Sequence, residues 1–212
     1  MPARTICISR TLAANGEEIG QAVAERLGWR VIDAEIIQRA AEKAGIDPSK
    51  VAMTEQRQPL IRRLIASIAS LGPAASETQP GAVDPEAAFA AGQTLEERLR
   101  GLIREVIEEV ASEGQAVIVA HAASMALAGH DGVLRVLITA SPEQRIDRLV
   151  WANGLARGTA EAAIRTSDRE RAGYFRRFYE IDQELPTHYD LIVNTDQIGP
   201  EQAVNLIMAA AG

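Results

Sequence analysis

Ile6-Cys-Ile-Ser-Arg-Thr-Leu-Ala-Ala-Asn-Gly-Glu-Glu-Ile-Gly20 decides the fold. Its apolar start reads as a buried strand, Thr5 to Ser9, and its end as a helix over Glu17 to Leu27. Ile19, Val23 and Leu27 fall on one face of that helix, and Gly28 stops it. Between the two lies a small-residue loop with Asn15-Gly16 at the turn. A strand, a loop and a helix N-terminus together offer backbone N–H groups and the positive end of a dipole to an anion. The full phosphate-loop pattern also asks for Lys-[Ser/Thr] after the last glycine, and Glu17-Glu18 stand there instead. Acids in a first turn also complement the helix dipole with no ligand present. The loop therefore reads either as a site for phosphate or as an ordinary strand-to-helix connection.

The same alternation continues along the chain. Trp29 to Asp33 reads as a second strand, and Ala34 to Ala44 as a helix closed by Gly45. Leu95, Leu99, Leu102, Val106 and Val110 mark a long amphipathic helix, with Thr94 as cap and Gly114 as stop. Ala116 to Ala120 is wholly apolar, as a central parallel strand should be, and Val133 to Thr139 is another. Ser141-Pro142 opens a helix. Thr159 is read as the cap of the next, which runs to about Gln183. Tyr189 to Asn194 is the last strand, and Pro200 starts a final helix expected to bury Val204, Leu206 and Ile207. Five strands with intervening helices predict an α/β protein, a parallel sheet covered on both faces, with ligands at the carboxyl ends of the strands. Residues 47–93 break the pattern: 51–71 reads as helical, and 72–93 is rich in Ala, Gly, Pro, Ser and Gln, the composition of a mobile insertion.

The bulk numbers narrow the class. A length of 212 residues suits one α/β domain with an insertion or lid, and 47% hydrophobic residues suffice for a core. The net charge of −7 argues against a non-specific nucleic-acid binder. Cys7, the one cysteine, sits in an apolar run and reads as a core residue of a reducing compartment. No apolar run approaches the ~20 residues of a membrane span, and no signal sequence is visible. A cytoplasmic protein is expected. The three histidines show no metal-ligand spacing, so no metal site is expected from them.

Three further places invite a functional reading. Asp33 ends a strand and either caps the next helix or faces a ligand, with Arg39 six residues on. His121 follows the central strand, where a ligand-facing residue would sit. Arg165, Asp168 and Arg171 are spaced i, i+3, so both pairs can meet on one helix face, as surface ion pairs or as a phosphate clamp.

Read together, several segments resemble the cytidylate kinase-like family of the P-loop nucleoside monophosphate kinases. They are Ile8-Ser-Arg10 with the loop to Gly20, Val31-Ile-Asp33-Ala-Glu-Ile-Ile37, Ser141-Pro-Glu-Gln-Arg145-Ile-Asp-Arg148, Asp168-Arg-Glu-Arg171 with Tyr174-Phe-Arg-Arg-Phe-Tyr179, and Tyr189-Asp-Leu-Ile-Val-Asn-Thr195. The resemblance covers nearly the whole chain outside residues 50–93. It implies a three-layer P-loop NTPase fold with a five-stranded parallel sheet, an acceptor-binding insertion at 47–93 and a lid-like helical segment at 152–180. It implies transfer of the ATP γ-phosphate, with Mg²⁺, to a nucleoside monophosphate or another small acceptor. Ser9, Arg10, Ala13, Ala14, Asn15, Gly16, Glu17 and Glu18 would form the donor-phosphate loop. Arg165, Asp168 and Arg171 would be the catalytic lid residues, Asp33, Arg39 and His121 would lie near the acceptor, and Asn194 and Thr195 near the donor base. The expected partners are a nucleotide or small anion and, as an assembly, a homodimer, with no nucleic acid and no membrane. Where the family places a basic residue this chain has Glu17, and where it commonly reads Gly-Arg the chain has Ala120-His121. The second reading is therefore a relative that binds a nucleotide, an anion or a protein without transferring phosphate.

Overall fold

The computed structural model describes residues 2–45, 95–119 and 122–212. The predicted insertion, the Thr94 cap, Ala120 and His121 lie outside the described residues. Five parallel strands form one sheet: β1 (Thr5–Arg10), β2 (Arg30–Ile32), β3 (Ala116–Val119), β4 (Val133–Thr139) and β5 (Leu191–Asn194), in the order β2-β3-β1-β4-β5. β1 is central. It pairs with β4 from Thr5↔Val133 to Arg10↔Ile138, and with β3 from Thr5↔Ala116 to Ile8↔Val119. Seven α-helices accompany the strands among the described residues: α1 (Gly16–Leu27), α2 (Ala34–Ala44), α3 (Leu95–Glu113), α4 (Ala123–Ala126), α5 (Pro142–Asn153), α6 (Arg157–Tyr179) and α7 (Pro200–Ala211).

The side-chain alternation of the strands builds two cores. Ile6, Ile8, Val117, Val119 and Val136 face Ile19 and Val23 of α1 and Val204 and Ile207 of α7. Cys7, Ile32, Ala116 and Ile118 face Ile36 and Ala40 of α2 and Val106, Ile107 and Val110 of α3. The central strands β1 and β3 are buried on both faces because both faces are covered. Burial pushes the Cys7 thiol far above its ordinary value, consistent with a packing role. The connection from β1 leaves on the α1 face and that from β3 on the opposite face, so a crevice opens at the carboxyl ends of these two neighbours.

Some boundaries differ from the sequence reading. α6 begins at Arg157, and Thr159 lies inside it, donating its N–H to Ala156 O. Buried Leu155 anchors the preceding turn, and the Arg157 guanidinium reaches back to Glu143 and Asp147 of α5, which sets the start. The helix ends at Tyr179, short of Gln183, because Glu180 turns to φ 56° and Ile181 N–H closes on Phe175 O. β2 and β5 are shorter than read. In α7 Leu206 is 44% exposed; Ala203, Val204, Ile207 and Ala211 are buried, because Leu206 lies about 200° around the helix from Val204. Ser141 caps α5 as read, accepting from Gln144 N–H at 3.4 Å.

Candidate active site

The loop between β1 and α1 takes its shape from two left-handed residues, Ala13 (φ 62°) and Asn15 (φ 64°). Ala14 N–H donates back to Thr11 O at 3.2 Å, and Ile19 N–H to Asn15 O at 3.0 Å. Asn15 is the N-cap of α1, and its side chain makes no capping bond. The first N–H groups of α1 therefore point out of the loop with no intrahelical acceptor. A Cβ on Gly16 would lie 2.5 Å from Arg10 Cβ, and one on Gly20 would lie 2.8 Å from Val119 Cγ2. Both glycines are there for close approach, one of the loop to β1 and one of α1 to the sheet.

Ser9 is buried, and its hydroxyl donates to Ser124 Oγ of α4 at 3.2 Å. Arg10 Nη2 pairs with Glu17 Oε1 at 2.5 Å, while Arg10 Nε is buried without a hydrogen-bond partner. Glu17 is thus the counter-ion of a cation beneath the loop. Glu18 is exposed on the same turn.

Arg148, which the sequence reading left without a role, holds the loop in place together with Thr195, which it placed near the donor base. Arg148 Nη1 donates to Ala13 O at 3.1 Å and to Thr195 Oγ1 at 2.9 Å, and Arg148 Nη2 donates to Thr195 O at 2.5 Å. The Thr195 hydroxyl lies 3.2 Å from both Ala14 O and Thr139 O, and the residue is 4% exposed. Thr195 is therefore tied into the back of the loop. Asn194 Oδ1 accepts from Asp196 N–H at 2.9 Å, and Asp196 Oδ1 accepts from Ser141 N–H at 2.8 Å, joining the end of β5 to the start of α5. Leu12 and Ala13 also pack on the apolar seam between α5 and α6, formed by Ile146, Leu149, Leu155, Ala160, Ala163 and Ile164.

The predicted pairing along α6 does not form. Asp168 takes a bidentate bond from Arg145 of α5, at 2.8 and 2.6 Å. Arg171 binds Glu184 through Nε (2.8 Å) and Nη2 (2.6 Å), donates to Tyr189 Oη at 3.1 Å, and reaches Arg10 O at 3.1 Å. The Tyr189 hydroxyl also donates to Glu184. Arg165 is 66% exposed and lies 3.9 Å from Glu161. Tertiary partners at better geometry have replaced the i, i+3 neighbours, since a fork-to-fork pair outcompetes a monodentate one. Burial favours the neutral acid of Glu184, but the bonds from Arg171 prevail and hold its carboxyl below the usual range. Burial pushes the Tyr189 hydroxyl well above its ordinary value.

Several of these residues line a half-open cavity of about 190 Å³ next to the loop, with Thr11, Arg145, Asp168, Arg171, Phe175 and Glu184 among its walls. Two of the expected acceptor residues are placed apart. Asp33 stands at the carboxyl end of β2 as the exposed N-cap of α2, without a side-chain capping bond. Arg39 turns the other way: it binds Glu35 at 2.5 Å and Glu113 at 3.2 Å. Glu113 also holds Arg30, the first residue of β2, so this ion cluster lies at the amino edge of the sheet. Arg39 is therefore not brought to the loop. Among the described residues no group of three His, Cys, Asp or Glu could hold a metal ion, and no helix is long and apolar enough to cross a membrane.

Comparison with known proteins gives these observations a context. A cytidylate kinase of Ignicoccus hospitalis is 34% identical over 104 residues, which cover 49% of this chain and 59% of that protein. The chain thus spans less than two thirds of this relative's length. Among solved structures, an uncharacterized protein from Eubacterium ventriosum superposes with a TM-score of 0.64 at 14% identity, covering 98% of this chain and 97% of that one. A gluconokinase from Sinorhizobium meliloti superposes with a TM-score of 0.51 at 11% identity, covering 99% and 91%. These two likenesses concern the fold alone, a three-layer α/β P-loop fold. The model of the cytidylate kinase-like family matches residues 5–197, so the loop, the α5–α6 hairpin and the last strand belong to one pattern, and the chain is a member of that family.

Proposed function

We propose that this protein is an ATP-dependent phosphotransferase acting on a small acceptor, with the loop at Ser9 to Glu18 holding the donor phosphates. The observation that carries this reading is the uncapped N-terminus of α1, held open by left-handed Ala13 and Asn15 beside an arginine-lined cavity. Such an N-terminus presents N–H donors and a positive dipole end to phosphate oxygens. Bound ATP would supply the transferable phosphoryl group and Mg²⁺ would offset its charge. The N–H groups at the start of α1 would receive the phosphates, and Mg²⁺ would bind with the nucleotide. Arg148 and Thr195 position the loop, Arg10 places a cation under it, and Arg171 joins it to α6 through Arg10 O. Asp33 and His121 remain proposed acceptor contacts, Arg165 a proposed phosphate contact, and Asn194 a proposed neighbour of the donor base.

A second reading has its own observation. Glu17 neutralises Arg10, and Asp168 and Glu184 engage Arg145 and Arg171, so each of these cations already has an internal counter-ion. A nucleotide-binding relative without transfer fits that arrangement. Coupled ADP-release assays with Mg²⁺-ATP across phosphorylated and unphosphorylated acceptors, together with calorimetry for ATP, separate the two. Binding with turnover supports the kinase, binding without turnover supports the second reading, and no ATP binding overturns the kinase.

A further inference from the structure

The last peptide of β1 has lost one of its neighbours. β3 pairs with β1 only as far as Ile8↔Val119, whereas β4 continues to Arg10↔Ile138. Thr11 N–H donates to Ile138 O of β4 at 3.1 Å. The N–H and C=O of one trans peptide point in opposite directions, so Arg10 O faces the side that β3 has left. The donor that meets it is Arg171 Nη1 of α6, at 3.1 Å. A guanidinium thus takes the place of a strand where the chain turns into the loop.

An arginine can do this only if its own fork is fixed. The Arg171 guanidinium lies 4.6 Å from the centroid of the Phe175 ring. Its remaining bonds run to the two ends of one turn: Nε and Nη2 to Glu184 at 2.8 and 2.6 Å, and Nη2 to Tyr189 Oη at 3.1 Å. Glu184 stands in the irregular stretch after α6, between exposed Gln183 and Leu185, so no helix or strand holds it. His188 N–H closes on Leu185 O at 3.0 Å and Tyr189 N–H on Pro186 O at 3.1 Å, which folds the chain back on itself. The Tyr189 hydroxyl donates to Glu184 across the base of this turn, while its ring is buried in one cluster with Ala122, Met125 and Phe175. We infer that Tyr189 and Glu184 are positioning residues for the donor loop: together they aim Arg171 at Arg10 O and so fix the direction in which β1 enters the loop. Burial keeps the Tyr189 hydroxyl protonated, as a donor to Glu184 must be. That this setting serves donor phosphates rests on the function proposed above; the aiming of Arg171 does not.

Two readouts on the full chain keep those statements apart. The first is hydrogen exchange at the Arg171 Nε–H, followed by nuclear magnetic resonance without nucleotide. Tyr189→Phe keeps the buried ring and removes the hydroxyl, and should speed that exchange about tenfold or more. The second is calorimetry with Mg²⁺-ATP, in which the same variant should raise Kd about fivefold or more. A merely structural role would lower the melting temperature and leave Kd unchanged. Arg171→Lys removes the fork, so adding Tyr189→Phe to it should change Kd little further. Glu184→Gln takes one acceptor from Arg171 and carries both readouts if Tyr189→Phe loses its cooperative melt. Unchanged exchange, unchanged Kd in a folded variant, or additive effects of the two substitutions overturns the inference. Failure of the unaltered chain to bind Mg²⁺-ATP removes the proposed function, and the exchange measurement alone then decides whether Tyr189 and Glu184 aim Arg171.

Discussion

Gly16 shows how much rests on single atoms. A side chain there meets Arg10 Cβ at 2.5 Å, within the segment that joins β1 to the loop. Gly16→Val is expected to cost about 1–3 kcal/mol in urea unfolding by forcing that segment apart. The same variant should lose ATP binding in calorimetry while keeping the far-ultraviolet dichroism of the fold. Thr195 is the complementary case, with one hydroxyl shared among Ala14 O, Thr139 O and Arg148. Thr195→Val keeps the volume and removes the hydroxyl. A loss of about 1–3 kcal/mol is expected, read by denaturant unfolding, because buried groups lose their partner. Residue by residue, Asn15, Gly16 and the strand before them could be read from the sequence, since turn chemistry is local. That Glu17 would neutralise Arg10, or that Arg148 would brace Ala13, depends on side chains brought together by the fold.

The α5–α6 hairpin is the element on which the site depends. Its start was legible: Ser141 caps α5 and Pro142 occupies the first turn. Ser141→Ala should lower stability by about 1 kcal/mol in thermal or urea unfolding. Its ion pairing was not legible, because i, i+3 spacing says only which side chains are able to meet along one helix. Asp168 finds Arg145 on the neighbouring helix. That pair predicts an asymmetry. Asp168→Ala strands a buried guanidinium and should cost about 3 kcal/mol, whereas Arg145→Met leaves Asp168, 42% exposed, to water and should cost clearly less. Equal losses in the two variants would contradict the account.

At the scale of the whole molecule, Glu184 joins β1, α6 and the start of β5 through Arg171 and Tyr189. Its carboxyl is held below the ordinary range when folded. A group with a depressed folded value contributes stability that is complete above the unfolded value and is lost as pH falls through the folded one. Melting temperature should therefore drop as pH is lowered from 6 towards 3, with part of the slope removed in Glu184→Gln. An unchanged slope in that variant would assign the acid sensitivity to other carboxylates, such as Asp190, whose pairing with Arg135 also lowers it.

By itself the sequence determined the alternating α/β order, the parallel sheet, the two buried faces and the place of the loop. Those follow from periodicity, caps and glycines, which act over a few neighbours along the chain. Only the tertiary structure decided the strand order β2-β3-β1-β4-β5, the turning of Arg39 to the amino edge, and the closing of Arg145 and Arg171 by internal carboxylates. The physical reason is that a charged side chain several bonds long takes the best counter-ion within its reach. Which one that is depends on how helices pack, over separations such as the 74 residues between Arg39 and Glu113.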